Sequence, residues 1–280
     1  MKLNRQQHKY PFIILGMIHI LLLILSMYKS KDRKKHTVLL LNYAGFAYTF
    51  EYIVVALLDG YVYKPNFFKN KNLDKIFGSI WSQLFYVPVT ALFITVYQLG
   101  WKIKLLFGLY FVLIEKLFIF LGIFKNNWWR TGYTFLTILL SFFINDKWYE
   151  QLNKRNPFIL FISFFHLIQL TWMNTIFAFA VFRKIRLGFP PFLTWKEHFK
   201  LAPLVGLFIS LFSAWKMKER SYVSQCQVLI LMFVIDITLL KKRMLKVKEI
   251  PVLLTIYAMV LRTAEFYRKL VYESSSNKSE

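Results

Sequence analysis

The chain has 280 residues, of which 57% are hydrophobic, including 30 Phe. Soluble domains usually hold roughly 45–50% apolar residues, and here the apolar residues come in long runs, which excludes an ordinary soluble fold. Lys and Arg number 37 against 14 Asp and Glu, a net charge of +23. These basic residues stand in short clusters between apolar runs, such as SKDRKKH (30–36) and KKRMLKVKE (241–249). That pattern fits membrane flanks facing a bilayer with anionic lipids and not a nucleic-acid surface.

Nine apolar segments follow in chain order, at 11–28, 37–58, 78–98, 103–124, 128–144, 157–182, 201–215, 223–240 and 250–267. Backbone polar groups inside a bilayer must be satisfied within each span, so each segment is expected to be a helix. The expected fold is all-α: a polytopic transmembrane bundle of about nine spans, within a range of eight to ten. It forms one integral membrane domain over 1–270, with a disordered polar tail at 271–280. The first segment follows a basic start and lacks a small-residue cleavage site, so it reads as a retained span.

The connections LGWK (99–102) and FKNN (124–127) are short and make antiparallel neighbours, while 59–77 and 183–200 read as the longest loops. Pro88 lies inside the third segment and is expected to kink it. Cys226, the only cysteine, excludes an intrachain disulfide and reads as a small buried hydrophobe. No internal repeat is visible. A small excess of Lys and Arg in the loops on the N-terminal side favours a cytoplasmic N-terminus.

Ionisable groups within a span cost roughly 2.5–3.5 kcal/mol each near the bilayer centre. Glu51, Gln83, Glu115, Lys116, His166, Gln169, Asn174 and Asp236 form the candidate intramembrane network. By helical rise most of them fall in the half of the membrane nearer the N-terminal side. This bias points to a polar cavity or a buried charge network opening on that side. Lys116 cannot pair with its neighbour Glu115, because adjacent helical residues point about 100° apart. It either snorkels or meets Glu51. His166 and Gln169 share a helix face, as a polar helix contact or a proton relay. Asp236 lies near Lys241 and Lys242 and can reach the interface.

Trp128, Trp129 and Arg130 in KNNWWR (125–130) read as interfacial anchors, with ligand stacking as the alternative. The chain has no HExxH, GxSxG, P-loop or GxGxxG pattern. No catalytic residue, metal site or cofactor is therefore expected. Glu197 and His198 in WKEHF (195–199) are adjacent and do not make a two-ligand helix face.

The pieces FEY (50–52), YKPNFF (63–68), GSIWSQ (78–83), VPVTA (87–91), LGW (99–101), IEK (114–116), NNWWRTGYTF (126–135) and KWY (147–149) carry a resemblance. Over about 40–152 the chain resembles a group of uncharacterised multi-pass membrane proteins of endospore-forming Gram-positive bacteria. The resemblance implies a bacterial plasma membrane location and supplies no catalytic residues. Two functions compete. One is a structural or accessory membrane protein binding a membrane partner, with sporulation or germination as its setting. The other is a small-solute or ion transporter, or a proton-coupled sensor, with a cavity around Glu51, Glu115 and His166. An intramembrane enzyme acting on lipid ranks behind both.

Overall fold

In the computed structural model, which describes residues 4–273, nine long helices take up the nine apolar segments. They are α1 (Lys9–Lys29), α2 (Arg33–Leu57), α3 (Lys71–Val96), α4 (Trp101–Leu121), α5 (Thr131–Asn153), α6 (Pro157–Val181), α7 (Trp195–Met217), α8 (Tyr222–Lys241) and α9 (Ile250–Arg268). Seven of the described helices are long and apolar enough to cross a membrane. The other two, α4 and α5, carry charged residues within the helix, among them Lys104, Glu115 and Asp146. Beyond α9 the chain stays helical over Lys269–Glu273. Of the polar tail expected over 271–280, residues 274–280 lie outside the described residues.

Polar caps set several helix starts. Asp32 accepts from Lys35 N at 3.0 Å ahead of α2, and Asn70 accepts from the amides of Asn72 and Leu73 ahead of α3. Such side chains satisfy amides that have no partner within the helix. At α4 the stop is Gly122, whose φ of 80° needs a residue without a Cβ.

The chain separates into two compact units, Met1–Asn156 and Pro157–Glu280. In the first, α1 and α2 pack on α3, and α4 packs on α5. Phe12, Tyr43, Tyr86, Phe111, Phe118 and Phe142 are part of its buried core. In the second, α6 packs on α7 and α9, and α7 on α8.

Each unit also holds a pair of three-residue antiparallel strands: β1 (Tyr61–Tyr63) with β2 (Phe124–Asn126), and β3 (Ile185–Leu187) with β4 (Leu245–Val247). The residues 59–77 and 183–200 are thus not simple loops. Strands this short leave no periodic signature in the sequence.

The strand pairs reveal an internal repeat. The order α2–β1–α3–α4–β2–α5 recurs as α6–β3–α7–α8–β4–α9. Val62 pairs with Lys125 at the centre of one ladder, and Arg186 with Lys246 at the centre of the other. Flanking bonds correspond as well. Lys64 N donates to Ile123 O at 2.9 Å and Gly188 N to Met244 O at 2.9 Å. Asn127 N donates to Gly60 O at 2.9 Å and Lys248 N to Lys184 O at 3.0 Å. Asp59 and Arg183 hold positive φ at equivalent turns, as do Gly122 and Arg243. Asn70 and Thr194 cap equivalent helices.

The sequence alone does not show this repeat. The two copies share element order, strand pairing and the bonds that flank the strands. Their lengths differ: α3 has 26 residues and α7 has 23. The longer helix contains a widened, π-helical turn at Ser82–Tyr86.

Candidate functional site: a carboxylate-lined aromatic cavity

Two irregular turns position the polar groups of the first unit. Helix α2 turns π-helical at Tyr52–Leu57, directly after Glu51. Helix α3 does so at Ser82–Tyr86, just ahead of Pro88. Proline has no N–H, and its ring clashes with the carbonyl four residues earlier, so the expected kink appears as a widened turn. Such π-turns recur at functional sites. Gln83, inside that turn, donates from Nε2 to Glu51 Oε1 at 3.0 Å. The Tyr61 hydroxyl, carried on β1, donates to Glu51 Oε2 at 2.7 Å.

Glu115 stands on α4, on the side of the helix that faces β2 and α5. Its Oε1 accepts from Asn126 Nδ2 at 2.9 Å and from the Thr131 hydroxyl at 2.7 Å, and its Oε2 accepts from the Thr134 hydroxyl. Glu51 and Glu115 are both buried. Among the described residues no ion pair reaches either. The nearby ammonium of Lys75 bonds Asp59 at 2.8 Å and the Val55 carbonyl at 3.1 Å.

A cavity of about 90 Å³ lies between these groups, with Glu115, Gln83, Tyr61, Tyr63, Phe124 and Trp129 in its wall. That volume holds a few waters or one small ligand. The Tyr61 ring stands 5.5 Å from Trp129, 5.6 Å from Tyr63 and 5.1 Å from Phe124, so the wall is a continuous aromatic surface. An apolar cleft of about 250 Å³ adjoins it, lined by α2 and α5 through Phe46, Leu140, Ile144 and Trp148. Phe50, Gln83 and Thr137 border both spaces.

The candidate residues divide between the units. Gln83 and Glu115 line the first-unit cavity, and Glu51 stands behind its wall, bonded to Tyr61 and Gln83. Lys116 is exposed and takes no part in it. His166, Gln169 and Asn174 belong to α6 in the second unit. His166 is buried against the Phe165 ring, Gln169 is buried, and Asn174 donates to the Leu170 carbonyl at 2.8 Å. The proposed trio of Glu51, Glu115 and His166 is therefore drawn from two separate units. Asp236, on α8, is half-buried and accepts from the Tyr257 hydroxyl. It occupies the repeat position equivalent to Glu115: each precedes the first residue of its following strand, Phe124 or Leu245, by the same interval. The cavity beside Asp236 measures about 20 Å³, room for a single water.

The WWR triplet also divides. Trp128 is exposed and donates from Nε1 to the Leu58 carbonyl at 2.8 Å, and Arg130 is exposed. Trp129 is buried, donates to Thr134 at 2.8 Å, and lines the cavity. Cys226 is exposed, not buried, because it sits on the outer face of α8.

Glu197 and His198 serve local structure. Glu197 completes a capping box with Thr194, and His198 Nδ1 accepts from Leu187 N at 3.0 Å. The T-x-x-E spacing was the available signal that a helix begins here. Lys104 and Asp146, also passed over in the sequence, form a half-buried ion pair, and Thr95 donates to the same carboxylate at 2.7 Å. Outside the long helices, Lys184 pairs with Glu249 beside β3 and holds that carboxyl below its ordinary range. Among the described residues no group of three or more His, Cys, Asp or Glu is placed to hold a metal ion.

No family model matches the chain, and no curated protein or solved structure is found similar to it.

Proposed function

We propose that this chain is an integral membrane protein of the bacterial plasma membrane whose first unit binds a small solute, as a transporter or a sensor. The observation that carries this reading is the cavity beside Glu115 and the Tyr61–Glu51–Gln83 cluster. A buried carboxylate in an apolar wall is costly unless something compensates its charge. Here the donors around both carboxylates are neutral, and open space remains next to Glu115. The α2/α5 cleft supplies an approach from the apolar surface. The N-terminus on the cytoplasmic side and anionic lipids around the basic clusters belong to the same reading.

A second reading is a structural or partner-binding membrane protein, for which the resemblance supplies a sporulation setting. It is favoured by the full set of donors on Glu115, which ties α4 to β2 and α5 and fixes helix pairing.

Thiol labelling separates the two readings. In a Cys226→Ser background, Thr137→Cys places one thiol where the cavity and cleft meet. Solute binding predicts labelling by small water-soluble maleimides in intact membranes. It further predicts that Glu115→Gln preserves membrane abundance. An unlabelled thiol, together with lost abundance in Glu115→Gln, establishes the structural reading instead.

A further inference from the structure

We infer that the ligand of the first-unit cavity is a small alkylammonium ion; this deepens the solute-binding reading and rests on it. Three observations converge. First, the buried carboxylate of Glu115 lines the cavity, with Glu51 behind its wall on Tyr61 and Gln83, and among the described residues no ion pair reaches either. For Glu115, whose donors are all neutral, a cationic ligand supplies a compensating charge in a low-dielectric wall.

Second, the cavity wall is aromatic. Tyr61, Tyr63 and Trp129 present ring surface to one space, and the centroids of Tyr61 and Trp129 are 5.5 Å apart. Aromatic faces attract cations, and clustered rings are the usual means of holding alkylated ammonium groups. The Tyr61 hydroxyl donates to Glu51. Donation from a phenol to a carboxylate pushes electron density into the ring and strengthens its attraction for a cation.

Third, the size and polarity fit. About 90 Å³ accepts an ammonium carrying a few carbons, and the adjoining apolar cleft of about 250 Å³ gives its alkyl groups a route in. A metal cation is disfavoured by the donor set: Glu115 is already engaged by Asn126, Thr131 and Thr134, and the rest of the wall is ring surface. An anionic solute would meet the Glu115 carboxylate.

The test uses the full chain in membranes, with Thr137→Cys in the Cys226→Ser background and a neutral maleimide as label. Tetramethylammonium and tert-butylammonium compete with the label, and tert-butanol serves as a neutral mimic of similar shape. The expected result is about tenfold slower labelling with either cation near saturation and little change with the alcohol. Glu115→Gln and Trp129→Leu should each weaken that protection, while Tyr61→Phe, which keeps the ring and loses the donation to Glu51, should weaken it less. Thermal unfolding of each variant in detergent shows that it is folded. Equal protection by tert-butanol overturns the inference, as does undiminished protection in folded Glu115→Gln. Labelling that no cation slows rejects the ligand class and leaves solute access standing. A thiol that never labels rejects solute access, and the ligand class with it.

Discussion

Gln83 donates to Glu51 across 3.0 Å, and both residues sit where an α-helix gives way to a π-turn. The widened turn ahead of Pro88 places the Gln83 amide within reach of the carboxylate on α2. Removing the donor should therefore be felt. Gln83→Leu is expected to destabilise the protein by about 1–3 kcal/mol, the cost of leaving a buried acceptor short of a partner. Denaturant unfolding in detergent measures this. A variant as stable as the parent would mean that water replaces the amide.

The Lys104–Asp146 pair predicts a double-mutant pattern. Lys104 is buried, and Asp146 also accepts from Thr95. Lys104→Met should cost about 1–3 kcal/mol, since it strands a half-buried carboxylate. Adding Asp146→Leu should recover much of the loss, because replacing both partners by apolar groups is often near neutral. Additive losses in the double variant would show that the two residues act independently.

Two glycines should respond in opposite directions. A Cβ at Gly206 would come within 2.3 Å of the Trp172 ring, whereas one at Gly132 would meet nothing within 4 Å. Gly206→Ala is expected to cost about 1–3 kcal/mol by overpacking. Gly132→Ala, in the first turn of α5, is expected to stabilise by up to about 1 kcal/mol through reduced backbone freedom. Thermal midpoints of the two variants, compared with the parent, decide the matter.

The Lys184–Glu249 pair makes a pH-dependent contribution. The Lys184 ammonium holds the Glu249 carboxyl below its ordinary value of 4.5 in the folded state. A depressed folded value means stability that is complete above the ordinary value and fades as pH falls through the folded one. The thermal-midpoint difference between the parent and Glu249→Gln should thus be present at neutral pH and vanish in acid. It should be small and shrink with added salt, because both side chains are partly solvated. A difference that persists in acid would point to packing and not to charge.

Much of the helical framework is legible in the sequence. Nine apolar runs became nine helices, since a long apolar run leaves its backbone few other ways to satisfy its hydrogen bonds. Glu115 is legible too: a carboxylate amid FVLIEKLFIF demands a partner, and Asn126, Thr131 and Thr134 provide it. Glu51 and Gln83 stood out for the same reason. Trp129 was harder, because Trp128 beside it has the same chemistry and faces outward; which ring turns in depends on the path of the chain after β2.

The helical class, the helix positions and the residues that are costly to bury follow from local composition and periodicity, and so are legible in the order of residues alone. Long-range packing alone brings Gln83 and Glu115 to one aromatic cavity, with Glu51 bonded to its wall, while His166 and Asp236 belong to another unit. Only the tertiary structure exposed the repeat that makes Asp236 the counterpart of Glu115. Both depend on strand pairing between segments some sixty residues apart, such as Tyr63 with Phe124. Pairing at that distance is set by backbone geometry and leaves almost no trace in the order of side chains.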